Sequence, residues 1–121
     1  MNEGTMLCTA VTLLAIAALG GIVMALIRFS KNQNPPAWLA MLHGLLAASG
    51  LTLILYAMFT VGIPQMAKVG LLLLVLAALG GVVLNQKYHW RSALLPPAIV
   101  IGHAVLAVVG FGLLLLAAWK G

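Results

Sequence analysis

Four apolar runs, each long enough to cross a bilayer, constrain this chain more than any other feature. Thr5 to Ile27 is apolar and stops at Arg28; Ala37 to Thr60 follows Pro35-Pro36; a third run opens at Lys68 and continues through Val69 to Gln86; the fourth begins after Pro96-Pro97 and closes at Trp119-Lys120. A span takes about 20 residues, so four spans and short connections use up the 121 residues. Hydrophobic residues make up 64% of the chain and charged ones 6%, which leaves too little polar surface for a water-soluble globule. Backbone inside hydrocarbon must satisfy its own hydrogen bonds, so each run is expected to be a helix. The expected fold class is an all-α membrane protein, a four-transmembrane-helix bundle forming a single membrane domain over 1–121.

The breaks between the runs carry turn chemistry. Asn32-Gln33-Asn34-Pro35-Pro36 ends the first, and Gly62 with Pro64 ends the second. A proline pair is tolerated at a helix start, where the missing amide would have no partner. The segment before the first run holds Glu3 and neither Lys nor Arg. That first run is therefore expected to be a retained span rather than a signal peptide.

Shifting the sequence by sixty residues superposes it on itself without a gap. Leu13, Leu14, Ala17, Ala18, Leu19, Gly20, Gly21 and Val23 fall on Leu73, Leu74, Ala77, Ala78, Leu79, Gly80, Gly81 and Val83. Pro36, His43, Leu46, Ala47 and Gly50 fall on Pro96, His103, Leu106, Ala107 and Gly110. Leucine and alanine match by chance in any such helix, but Gly-Gly, Pro, His and Gly in one register do not. Internal repeats are expected at approximately 5–60 and 65–120. Each holds two spans, so both enter the membrane in the same direction, as parallel-related hairpins about an axis along the membrane normal. Arg28, Lys31, Lys87 and Arg91 lie at the loops inside the repeats, against Lys68 and Lys120 at the other face. The positive-inside rule then puts those loops in the cytoplasm and both termini on the periplasmic side.

Charge also excludes whole classes of chemistry. Six Lys and Arg stand against one acid, Glu3, and the bases are spread among the connections without forming a nucleic-acid patch. One carboxylate in a tail supplies no acid-base pair and no buried acid for proton-coupled transport. This also disfavours a small multidrug exporter, which requires a membrane-embedded acid. Cys8 stands alone and reads as a small apolar residue.

His43 and His103 are the ionisable groups expected deep in the hydrocarbon, where such residues default to function. Each lies seven residues past its proline, Pro36 or Pro96, so about 10 Å below the loop-side end of its helix. Gly21 lies seven residues before Arg28 and Gly81 six before Lys87, which puts the glycine pairs in the same layer. On the histidine face, Ala47 and Gly50, and their repeats Ala107 and Gly110, are expected to form a slot of missing side chains. Two imidazoles on one axis beside such a slot suit the axial ligands of a planar metal macrocycle, so the metal ligands are expected to be His43 and His103. Arg28, Lys31, Lys87 and Arg91 lie where its carboxylates would reach the loops. Blander roles compete: Ala17 with Gly21, and Ala77 with Gly81, are also packing patterns; the four bases are also interfacial anchors. Trp38, Trp90 and Trp119 read as belt residues. His89, near the water boundary, is expected to be solvated. Zinc wants three or four ligands, more than this pair offers.

The duplicated pattern Leu-Gly-Gly, Pro-Pro, His-x2-Leu-Ala-x2-Gly resembles that of small bacterial four-span membrane proteins, and the ligand arrangement is similar to that of membrane b-type cytochromes. The resemblance implies one haem b per chain and an inner-membrane electron relay within a larger respiratory complex. It further implies an electron-transfer protein rather than a stand-alone enzyme. The partners would be the lipid bilayer, a redox protein or quinone, and further copies or subunits. Larger membrane cytochromes often hold two haems through more histidines, whereas this chain offers ligands for one. The alternatives are a cofactor-free accessory subunit or a chlorin-binding pigment protein.

Overall fold

The computed structural model describes residues 2–120, and these form four long helices joined by short turns. Helix α1 spans Glu3–Lys31, α2 Ala37–Thr60, α3 Gln65–Val83 and α4 Pro97–Lys120. All four spans are long and apolar enough to cross a membrane, α3 counting together with its extension to Arg91. The chain is thus an all-helical, multi-pass membrane protein by length and composition.

Local chemistry sets the ends. Asn2 caps α1, its side-chain oxygen accepting from the Thr5 amide at 2.8 Å, and Arg28 and Lys31 lie in the last turn, where the helix dipole favours cations. The helix stops at Asn32, whose φ of 50° is left-handed. Ser92 ends the third span in the same way, with φ 55°. Between α2 and α3 the chain turns at Gly62, whose φ of 81° suits only a residue without Cβ. Helix α3 does not run straight to its end: a π-helical turn, Leu84–Tyr88, and a 3₁₀ turn, His89–Arg91, follow it. The corresponding part of α1 is regular helix to Lys31.

Helices α1 and α2 pack along their length, as do α3 and α4, while α1 with α4 and α2 with α3 touch more sparingly. The structure is two tight hairpins laid side by side. Outside, the surface is apolar: Phe59, Leu72, Leu26 and Val108 are all exposed. Hydroxyls on that surface turn back into their own helices, Thr9 to the Thr5 carbonyl, Thr12 to Cys8, Ser49 to Leu45 and Thr52 to Ala48. Lipid offers them no partner, so each takes one four residues earlier.

The core is uneven along the bundle axis. Met6, Leu7, Ala10, Leu14, Ile54, Ala57, Ile63, Ala67, Leu71, Leu74, Leu114 and Ala117 form one buried cluster, all in the half remote from the 32–36 and 92–96 loops. Its large side chains end at Leu14 and Leu74, and Ala17 and Ala77, one turn on, are buried as well. In the loop-side half the side chains that continue the inward stripe, such as Met24, Leu46, Val100 and Leu106, are only half-buried. Burial returns at the loop end itself, with Arg28, Leu39, Leu84 and Leu95.

Candidate functional site

The looser layer holds both histidines. His43 comes from α2 and His103 from α4, each half-buried, with ring centroids 6.2 Å apart and ring planes at 73°. Each ring is oriented by its own hairpin. Nδ1 of His43 lies 2.7 Å from the Ala17 carbonyl oxygen on α1, and Nδ1 of His103 lies 2.6 Å from that of Ala77 on α3. A carbonyl can only accept, so Nδ1 carries the proton and donates in both cases. The lone pair then lies on Nε2, the state of an imidazole that can bind a metal.

The glycine pairs make this placement possible. A Cβ on Gly21 would lie 3.1 Å from Cε1 of His43, and one on Gly81 would lie 3.2 Å from Cε1 of His103. Gly20 and Gly80 stand against the Cβ atoms of the same two histidines, at 3.8 and 3.7 Å on the same measure. Helix α1 or α3 can approach the ring closely enough to accept its proton because no side chain intervenes. Carbonyl, glycine pair and ring recur in both hairpins at the same spacing of twenty-six residues between bonded partners.

Gly50 and Gly110 have a different use from the slot expected of them. A Cβ on Gly50 would come within 2.8 Å of Leu14, and one on Gly110 within 2.9 Å of Leu74 and 3.0 Å of the Gly70 carbonyl. The space beside them is filled by their own hairpin partners, so they serve close helix packing. Ala47 and Ala107 are half-buried just above, at the edge of the core.

The four bases separate sharply. Lys31, Lys87 and Arg91 are exposed. Arg28 is instead 6% exposed, its Nε donating to the Leu95 carbonyl at 2.8 Å and Nη1 to the Asn32 side-chain oxygen at 3.2 Å. It is therefore no snorkelling anchor. His89 also departs from expectation, since it is half-buried with Nε2 2.7 Å from the Pro35 carbonyl oxygen. The π and 3₁₀ turns before and around it re-aim this stretch toward the first loop.

Asn34, which the sequence did not single out, ties the two loops together. Its Nδ2 donates to the Ala93 carbonyl at 2.7 Å and its Oδ1 accepts from the Leu95 amide at 3.0 Å. The available signal was a break in the repeat, because the residue sixty positions on is Leu94.

Among the described residues, no three His, Cys, Asp or Glu side chains gather as metal ligands. The arrangement is a two-imidazole site, which suits axial ligation of a metal whose remaining positions another molecule fills. The chain matches no family model, and no match to it is found among the curated proteins or the solved structures.

Proposed function

We propose that the chain is a membrane electron carrier that holds one b-type haem between its hairpins, with His43 and His103 as axial ligands. The observation that carries this reading is the spacing of two imidazoles whose Nδ1 protons are already committed to backbone carbonyls. The two ring centres stand 6.2 Å apart, and His43 and His103 would hold the haem iron through the Nε2 atoms that their backbone bonds leave free. Met24, Leu46, Val100 and Leu106, between the core and the loops, are only half-buried, so fewer large side chains lock this layer than lock the remote half. Bound there, haem would supply one-electron exchange, with His43 and His103 as the residues that hold it.

The residues of the chain do the rest. The Ala17 and Ala77 carbonyls fix the tautomer and rotation of each ring. Gly20, Gly21, Gly80 and Gly81 let α1 and α3 close on the rings. The recurrence of these contacts at the sixty-residue shift supports two parallel-related hairpin repeats, 5–60 and 65–120. Loop cations favour a cytoplasmic face for 32–36 and 92–96, with both termini periplasmic and the protein in a bacterial plasma membrane. A metal about 10 Å from one face leaves most of a roughly 30 Å core uncrossed. A redox protein, a quinone or a second copy would complete the path.

One observation favours a cofactor-free subunit instead. Rings at 73° and 6.2 Å also make an edge-to-face contact of the kind that packs helices without any ligand. Optical spectroscopy of the detergent-purified protein separates the two readings. The haem reading requires a low-spin b-type reduced-minus-oxidised spectrum at about one haem per chain, lost in His43→Ala and in His103→Ala. A colourless protein, or variants that keep the wild-type spectrum, would overturn it.

A further inference from the structure

We infer that Arg28 binds an oxyanion, a carboxylate or phosphate that this chain does not itself supply. Its guanidinium is always charged, and it is 94% withdrawn from solvent exposure, given 6% remaining. The hydrogen-bonding partners it has are neutral: the Leu95 carbonyl on Nε and the Asn32 side-chain oxygen on Nη1. The Phe29 ring, 5.6 Å from Cζ, adds only a weak attraction. Nη2 makes no hydrogen bond among the described residues; because no buried side-chain nitrogen among them is left unpartnered, this end of the fork is open to an incoming group.

The single acid in the chain cannot help. Glu3 lies in the first turn of the same helix, twenty-five residues or about 37 Å away. The C-terminal end of α1 and two neutral acceptors offset part of the charge, but no formal counter-charge among the described residues faces it, and a guanidinium fork matches the two oxygens of a carboxylate or phosphate. Lys31, Lys87 and Arg91 are exposed and have no such need.

Position narrows the source. Ala10, Leu14, Ala17, Gly21, Met24 and Arg28 make one inward stripe at helical spacing, and Arg28 stands seven residues, about 10 Å, beyond the glycine that faces the His43 ring. An anion reaching it from within the bundle would be a carboxylate on the edge of the haem, which rests on the reading above. One reaching it from the membrane surface would be a lipid phosphate, which does not. At the position sixty residues on stands Tyr88, so the site is single and lies off the pseudo-twofold axis.

The test uses the full-length protein in detergent, with Lys68→Gln as the charge control at the opposite face. Haem and its dimethyl ester are titrated optically into wild type, Arg28→Gln and Arg28→Lys, and retention of added phosphatidylglycerol through delipidation is counted by native mass spectrometry. A carboxylate occupant gives a preference for free haem over the ester of about tenfold in wild type, a difference of one charge-assisted contact, which disappears in Arg28→Gln. A phosphate occupant gives one retained phosphatidylglycerol in wild type and Lys68→Gln and none in Arg28→Gln, with no ester preference. Arg28→Lys keeps the charge and loses the fork, so it must weaken the same quantity; it decides the matter if Arg28→Gln does not fold. Equal ester discrimination and equal lipid retention in wild type and variants overturn the proposal. If wild type binds neither form of haem, the functional reading fails, and lipid retention alone decides the role of Arg28.

Discussion

Replacing Gly21 or Gly81 by alanine should weaken ligand binding while leaving the bundle almost as stable as before. Two effects oppose each other in the stability. Alanine in a helix interior is favoured over glycine by about 1 kcal/mol. Against that, the new Cβ would stand 3.1 Å from His43 Cε1, or 3.2 Å from His103 Cε1, where carbon atoms prefer about 3.5–4.0 Å. The ring must therefore move by about 0.4 Å or α1 must back away. Either motion strains a hydrogen bond of 2.7 Å to Ala17 or 2.6 Å to Ala77, which is worth about 1 kcal/mol. The two terms nearly cancel, so unfolding free energy should stay within about 1 kcal/mol of wild type. Nothing cancels at the metal, where ligand distances are held to about 0.2 Å and loss of the group that orients a histidine costs about 10–100-fold in affinity. Optical titration of haem into the apoprotein, beside denaturant unfolding in detergent, measures both quantities. Gly44→Ala is the control, since nothing lies within 4 Å of a Cβ there. Unchanged haem affinity in both glycine variants would refute the idea that these glycines seat ligating imidazoles.

Further outcomes follow from the same contacts. Gly50→Ala and Gly110→Ala should destabilise the bundle by about 1–3 kcal/mol through overpacking, with Gly110 the worse because the rigid backbone oxygen in the way stands at 3.0 Å there and at 3.3 Å beside Gly50; equilibrium unfolding checks the sign. Asn34→Ala removes two bonds between the loops and should cost about 1–3 kcal/mol, with faster amide exchange over 92–96 as its local signature. In a Cys8→Ser background, a cysteine at Gln65 should react with an impermeant maleimide on intact cells and one at Gln33 should not, as the loop charges require. The reverse pattern would invert the topology.

Helix α2 was legible almost to the residue, because Pro36 and the Thr60-to-Gly62 turn both act locally. The starts of α1 and α3 lie two to three residues earlier than the apolar runs suggested, at Glu3 and Gln65, since capping by Asn2 and a proline N-terminal to the helix extend helix into polar sequence. The shared layer of histidines and Gly-Gly pairs could be read from spacing alone. What faces each glycine could not, because a missing side chain records only that something comes close. For Gly21 it is an imidazole, and for Gly50 it is Leu14. The anchor reading of Arg28 and the solvated reading of His89 fail for a related reason: both side chains bond to the opposite loop, Arg28 to Leu95 and His89 to Pro35, contacts between positions about sixty apart that no local pattern encodes.

The uneven core bears on how such a protein is made. One half of the bundle is closed by interlocked apolar side chains that need no ligand, and helices in a bilayer associate through packing of this kind. The other half is held by its tight glycine contacts and by a few polar bonds at the loop end. Biogenesis can then proceed in an order: spans insert, the remote half zips together, and the loop half, whose polar bonds join positions about sixty apart, closes last.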